Sequence, residues 1–552
     1  MKPASKPLAV SRQELEALIE RAGAAPLGEA DCQTLRAMVE TLCLLAQLLD
    51  DKNTSIARLR RMLFGSHTET IENVVKAAGQ EEMASHDLEP ASTGAENPAE
   101  PTAPVKKKGH GRKGAADYPG ATRIKVSHPT LSAGDRCPSC QTGKVYAAQE
   151  PGLTVRITGQ PPLGATVYEL EKLRCNLCGE IFTAPAPEGL GEEKYAAEAA
   201  AMMALLRYGS GFPGYRLAQL QASLGIPVPA TTQWTLARDC AHRLKPAFAE
   251  LIHQAAQGEV VHNDDTPMKI LELMGKKPAP PAQEETNAAE RTGIFTTGIL
   301  ATAGGRKIAL FFTGRQHAGE NLQDVLQQRA AELGPPIQMC DALSRNPSKA
   351  FATILANCLT HGRRQFVEVV ENFPKSCRYV LEILGQVYHH DAIAEQRGMS
   401  PDERLLYHQT HSGPLMDQLK TWAQTQLDDH QVEPNSGLGK AIAYLLRHWD
   451  QLTVFLRVPG APLDNNLCEQ ALKRAILHRK NSLFYKTQNG AHVGDLSMSL
   501  IHTCRLNGVN PFDYLTELQN HAAAVARNPQ DWMPWNYRAT LQGAGASLAA
   551  AA

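Results

Sequence analysis

Val260-Val-His-Asn-Asp-Asp-Thr-Pro267 marks a change of pattern: from residue 193 to Gly258 apolar residues recur at helical spacing, and after it they come in short β-type runs. Met268–Leu273, Gly293–Ala301 and Lys307–Thr313 read as strands, Glu320–Leu333 as a helix and Ile337-Gln-Met-Cys-Asp341 as a further strand. One aspartate thus sits on the first strand and another at the tip of the strand that follows the helix. If these two strands are parallel neighbours, Asp264 and Asp341 lie side by side. Two carboxylates so placed repel each other unless a cation lies between them, which makes the pair a candidate magnesium site.

A third acid comes from Pro462-Leu-Asp-Asn-Asn-Leu-Cys-Glu469, where Asp464 or Asn465 can cap a helix and Glu469 lies in its first turns. Three carboxylates can hold two magnesium (or manganese) ions about 3.5–4 Å apart, one activating an attacking hydroxyl and the other stabilising the leaving oxygen of an in-line phosphoryl transfer. Lys473, Arg474, Arg479 and Lys480 follow directly and suit contacts to DNA phosphates. Singly, each acid has an ordinary alternative: a turn residue, a helix cap, a partner for Lys473 at i+4. The element order joins them, and it resembles the RNase H-like arrangement. The α/β core then comprises residues 257–345 and 461–530, interrupted by an all-helical insertion over 346–460, with 531–552 as a tail.

Upstream, residues 188–256 read as helices over Tyr195–Tyr208, Tyr215–Leu224 and about Thr231–Leu244, with a turn at Gly225-Ile-Pro-Val-Pro229. That spacing fits a helix-turn-helix whose recognition helix carries Thr231, Thr232, Gln233 and Arg238, although generic helical hairpins share it. Within 126–187, Cys137-Pro-Ser-Cys140 and Cys175-Asn-Leu-Cys178 form two knuckles able to supply four thiolates to one structural zinc, a zinc-ribbon pattern whose folding depends on metal. Residues 75–125 are a disordered linker by composition, ending in a basic run with Lys106, Lys107, Lys108, Arg112 and Lys113 that could lie along phosphates or serve as a solvated tether. Residues 1–74 carry Leu35, Met38, Leu42, Leu45, Leu49, Ile56, Leu59 and Leu63 at helical steps, the stripe of a coiled coil or of a helix packed within its own protein. The chain is therefore expected to be a multidomain α+β protein.

Composition sets limits. In 552 residues, 56 Lys and Arg stand against 57 acids, so a net charge of -1 excludes a globally basic nucleic-acid binder and any polyanion site must be local. Twelve cysteines are too sparse for a disulfide scaffold, and no run of 18 apolar residues or apolar leader follows Lys2, so a bacterial cytoplasmic, nucleoid-associated protein with no membrane contact is expected.

These residues resemble the insertion-sequence-66 family of bacterial DDE transposases, from the N-terminal helix to about residue 520. Arg60-Arg-Met-Leu-Phe-Gly65 is similar to its N-terminal signature, Gly109-His-Gly-Arg112 to its basic motif and the CxxC pairs to its zinc segment. Asp264-Asp-Thr-Pro267, Pro462–Glu469 and Arg479-Lys-Asn481 match most specifically, and Thr503–Pro511 with Tyr514-Leu515 closes the core. The resemblance implies that Asp264, Asp341 and Glu469 are the catalytic acids. Cys358 and His361 resemble a CxxH signature that follows the second aspartate in several DDE families; a structural or DNA-positioning role is expected for them, with Arg363 and Arg364 on phosphates. The family usually has Glu where this chain has Asp265, Gly-Tyr at Ala342-Leu343, and often Trp at Ser482. The implied activity is metal-dependent cleavage and strand transfer at the ends of an insertion sequence, by a homo-oligomer on paired ends that joins them to target DNA, with accessory proteins encoded by the same element. A DNA-binding protein that no longer cuts, and a nuclease that does not join, are the alternatives.

Overall fold

The computed structural model describes residues 129–146, 162–174, 181–187, 193–274 and 292–543. The N-terminal helical segment, the linker with Lys106, Lys107, Lys108, Arg112 and Lys113, and the second knuckle with Cys175 and Cys178 lie outside the described residues. Among the described residues no helix is long and apolar enough to cross a membrane. They fall into two units, Thr360–Trp449 and the rest.

The first strands of the larger unit are a short antiparallel pair, β1 (Lys172–Arg174) and β2 (Ile181–Thr183), which flank the undescribed residues 175–180. Helix α1 (Ala197–Ala204) runs into a π turn at Leu205–Gly209 and is followed by α2 (Gly214–Ser223) and α3 (Ala230–Ala256). The expectation that this third helix stops near Leu244 is corrected: it continues through Pro246 for three further turns. Proline removes one intrahelical bond, but Leu244, Ala247, Leu251 and Ala255 form one buried stripe on each side of it, and burying that stripe outweighs the lost bond. The helix thereby becomes part of the main core.

A five-stranded sheet follows: β3 (Val260–Pro267), β4 (Phe295–Ala303), β5 (Arg306–Gly314), β6 (Ile337–Cys340) and β7 (Ile354–Asn357), in the spatial order β5-β4-β3-β6-β7. The first three are antiparallel neighbours, whereas β6 runs parallel to β3 and β7 parallel to β6. Helix α4 (Ala318–Leu326) makes the crossover and is shorter than the Glu320–Leu333 expected. Met268–Leu273 is not a strand; it turns through a 3-10 helix at Leu271–Leu273. Strand β7 falls inside the stretch expected to be helical throughout.

The smaller unit is helical: α5 (Leu359–Glu368, whose first residue belongs to the larger unit), α6 (Pro374–Gln396), α7 (Pro401–His411), α8 (Gly413–Asp428), α9 (Gly437–Arg447) and α10 (Trp449–Leu452, mostly of the larger unit). Its buried residues include Leu381, Leu384, Met416, Leu419, Ile442 and Leu445.

Back in the larger unit come α11 (Asn466–Ser482), α12 (Gln488–Leu506), α13 (Pro511–Asn520) and α14 (Ala522–Arg527). Helix α12 solves the problem that every open sheet has at its edge, a row of unpaired backbone groups. The outward N–H groups of Thr313, Phe311, Ala309 and Lys307 on β5 donate to Asp495, Ser499, Thr503 and Asn507 at 2.7, 2.9, 3.0 and 3.3 Å. Four helical residues advance about 6 Å and two strand residues about 6.7 Å, so the two repeats stay nearly in step over the contact.

Candidate active site

The central strand places the first acid. Val260, Val261 and His262 on β3 pair in register with Ile337, Gln338 and Met339 on β6. Continued by two residues, that register puts Asp264 level with Asp341, on strands about 4.8 Å apart and on the same face. On its other side Asp264 is paired with Gly298 of β4. Having no side chain, Gly298 leaves room for α11: a Cβ there would stand 3.0 Å from Leu472. Cys468 also donates its thiol to the Gly298 carbonyl at 3.3 Å. Glu469, the next residue, is therefore held over the same face of the sheet.

Asn465 fixes the start of that helix. It is fully buried; its Nδ2 donates to the carbonyl of Asn263 at 3.2 Å, its Oδ1 lies 3.1 Å from His262 Nδ1, and its backbone N–H donates to Cys358 Sγ at 3.3 Å. Burial pulls His262 down to about 4, so the ring is neutral at physiological pH and donates its Nδ1–H to the amide oxygen. Asp464, not Asn465, serves as the acceptor at the helix start, bonding the Asn466 backbone N–H at 3.1 Å.

Asn346 does the corresponding work for Asp341. Its Nδ2 donates to the Asp341 carboxylate, and its backbone carbonyl accepts from Asn263 Nδ2 at 2.8 Å and Gln338 Nε2 at 2.9 Å. Gly319 lets this loop pass close to α4, because a Cβ there would lie 2.4 Å from the Pro347 carbonyl oxygen.

The electrostatics follow from this packing. Burial, then the charge of Asp341, and further the charges of Asp265 and Glu469, push the Asp264 carboxyl up to about 7. Asp265 points to the opposite face, where its fully buried carboxylate is held by His317 at 3.0 Å and Arg345 at 3.0 Å. The neighbouring thiols of Cys340 and Cys468 are driven upward by burial and stay protonated. Among the described residues, Asp264 and Asp341 thus share this face and Glu469 lies near enough for its charge to raise Asp264, oxygen donors of the kind a hard divalent cation takes.

The cationic residues divide. Lys473 and Lys480 are exposed and lie within about 40° of Glu469 around the α11 axis, whereas half-buried Arg474 is turned away from it. Arg479 donates to Thr266 Oγ1 at 3.2 Å and to the Pro267 carbonyl, pinning the end of β3. On α3, Thr231 and Arg238 are exposed, Arg238 pairing with Asp239 at 2.8 Å, and Thr232 is half-buried. Gln233 is a correction. It is fully buried and donates to the Val228 carbonyl at 2.9 Å, so it braces the turn and cannot read a base. Cys358 is buried at the end of β7, while His361, Arg363 and Arg364 belong to the helical unit on α5.

In the first knuckle, Cys137 N–H donates to the Gly143 carbonyl at 2.8 Å and Gly143 N–H to Cys140 Sγ at 3.4 Å. The Gly143 amide, with Thr142 and Cys137, pulls the exposed Cys140 thiol down to about 6, the direction a metal-binding thiolate needs.

His262, Asn263, Gln338, Asn346 and Gly298 were not singled out from the sequence. Asn465 was, as one of two candidate caps of the helix, but its long-range bonds to β3 carried no local signal. A family model described as "Transposase IS66 family" matches residues 194–493. An uncharacterized protein, y4jD, of Sinorhizobium fredii is 25% identical over 531 residues, covering 91% of this chain and 97% of that protein. A second uncharacterized protein of the same organism, y4hP, is 24% identical over 401 residues, 67% of each chain.

Proposed function

Because the chain belongs to the transposase IS66 family, we propose that it cuts DNA at the ends of an insertion sequence and joins them to a target, with Asp264, Asp341 and Glu469 as the catalytic acids of an RNase H-like core. The observation that carries this reading is the parallel register that levels Asp264 with Asp341, together with the rise of the Asp264 carboxyl to about 7 beside the other two acids. The three carboxylates would hold two magnesium ions. When bound, these would supply positive charge to the attacking and leaving oxygens of a phosphodiester.

The protein's own part is placement. Asn465 and the Cys468 to Gly298 contact set Glu469 over the sheet, and Asn346 orients the Asp341 carboxylate. Lys473 and Lys480, on the Glu469 side of α11, would neutralise phosphates of the strand being cut. Water first displaces the 3′ oxygen of the element end from phosphorus, leaving a 3′ hydroxyl and a 5′ phosphate. That hydroxyl then displaces a 3′ oxygen from a target phosphate, and its proton leaves with solvent. Cys137, Cys140, Cys175 and Cys178 would hold one structural zinc. The zinc module, Thr231, Arg238 and the basic linker would bind end DNA, two protomers would bridge two ends, and proteins encoded beside the gene would assist.

The test is incubation of end-bearing DNA with the full chain and magnesium, resolving nicked and strand-transfer products. Asp341→Ala and Glu469→Ala are expected to abolish both. Undiminished cleavage by either variant removes the assignment, and cleavage without joined product leaves a hydrolytic nuclease.

A further inference from the structure

At the end of α11 remote from Glu469 lies a cavity of about 530 Å3 that the reaction above does not use. His478, in its wall, follows Glu469 by nine residues, or about 13 Å along the helix. Tyr215 and Phe484 stand at its mouth, 56% and 42% exposed, with Trp234 beside them, and Tyr208, His478 and Tyr485 make a buried floor in which His478 stacks on Tyr485 with ring centroids 4.8 Å apart. Burial and the neighbouring Arg207 pull His478 down to about 4, so the floor is an uncharged aromatic surface.

The remainder of the wall is electropositive. Arg207 and Lys486 line it, and no lining residue is acidic. Gly214 and Ala230, which also line it, are the first residues of α2 and α3, so two helix N-termini open onto the same space. Both helices are preceded by proline, Pro213 and Pro229, and neither has a side-chain cap for its first-turn N–H groups. Uncapped N-terminal amides beside cationic side chains form a site for a phosphate. Aromatic faces take a base by stacking, without regard to its sequence.

We propose that this cavity receives one unstacked nucleotide of the DNA strand being processed, its base among Tyr215, Trp234 and Phe484 and its phosphate at the starts of α2 and α3. This rests on the reading of the chain as an enzyme acting on DNA. The volume lies within the range of small-molecule sites and exceeds what a single base fills. Extruding a base costs stacking and pairing, a cost that the aromatic walls would offset and that is lower at the frayed end of a cut duplex.

The experiment uses the full-length protein with magnesium and a terminal duplex carrying 5-iodo-2′-deoxyuridine at one position at a time across the cleavage site. Crosslinked peptides and cleavage rates are read from the same samples. One position within a few nucleotides of the cut is expected to crosslink to Tyr215, Trp234 or Phe484, and that crosslink disappears in the Tyr215→Ala, Phe484→Ala double variant, whose exposed side chains can be removed without opening the core. Cleavage by the double variant is expected to fall about tenfold or more, and Phe484→Tyr restores it when introduced in place of the alanine. Crosslinks confined to other surfaces, or no crosslink at these rings, overturn the inference. Cleavage by the wild type in those samples leaves the proposed function standing, whereas a crosslink in the cavity without cleavage does the reverse.

Discussion

Replacing Asp264 by Asn removes a charge that the fold opposes, and the gain in stability is calculable. The carboxyl lies at about 7 against an ordinary 3.8. Three units at 1.36 kcal/mol each set an upper bound of about 4 kcal/mol on the cost of ionising it in the folded protein. Water reaches part of the group, so about 2 kcal/mol is the working figure. The sign follows from proton binding: between pH 4 and 7 the folded state holds a proton that the unfolded chain has released, so this stabilisation is present below pH 4 and is lost as pH rises to 7. Asp264→Asn keeps the neutral form at every pH. In urea unfolding with a chelator present, the variant should match the wild type near pH 4 and exceed it by about 2 kcal/mol at pH 8. Asp495, also pushed up to about 7 by burial, titrates in both proteins and cancels in the difference. Magnesium should stabilise the wild type at pH 8 and leave the variant unmoved. Parallel pH curves for the two proteins, or a variant less stable at pH 8, would refute the account of Asp264 as a buried carboxyl raised further by its acidic neighbours.

Asn465→Ala deletes both side-chain bonds to β3 and leaves the Asn263 carbonyl unpaired; stability should fall by about 2–3 kcal/mol, and strand cleavage far more than DNA binding, as measured by unfolding, nicking and gel-shift titrations. Gly298→Val drives a branched side chain into Leu472 and should lift α11 from the sheet, lowering the cleavage rate at saturating magnesium by at least tenfold; an unchanged rate would show that Glu469 does not depend on this contact. Ser499→Ala leaves the buried Phe311 N–H without its acceptor and should cost about 1–3 kcal/mol in thermal unfolding with no change in DNA affinity. Elemental analysis of the purified full chain should give one zinc, and Cys137→Ser with Cys175→Ser none.

The parts of the fold legible in the sequence are those written as local period. The runs at Val260–Pro267 and Ile337–Cys340, the acid on the first and the acid just after the second, and the helix that bears Glu469 are apparent, because short apolar runs bounded by turn residues and helix capping act over a few residues. Strand β7 was not, since Ile354-Leu-Ala-Asn357 is a run too short for periodicity to separate strand from helix, and only its place beside β6 makes it a strand. The end of α3 was not legible either, because a buried stripe of Leu and Ala over several turns carries the helix past Leu244 and through Pro246. Gln233 misled because a polar residue near a helix start looks solvent-facing, while its amide was needed by the Val228 carbonyl.

The same distinction explains why the acids could be named but their supports could not. A carboxylate is selected for its chemistry and stands out as a residue type, whereas Asn263, Asn346 and Asn465 act through bonds spanning 83 residues in the Asn263 to Asn346 contact and 202 in the Asn465 to Asn263 contact. These asparagines converge on one strand because β3 lies at the centre of the sheet, between the strand that carries Asp341 and the strand that supports α11. Asp341 and Glu469 are thus anchored through β3, the strand that itself carries Asp264. A variant that disturbs β3, such as Asn263→Ala, should therefore impair cleavage as severely as one that touches an acid directly, although it removes no carboxylate.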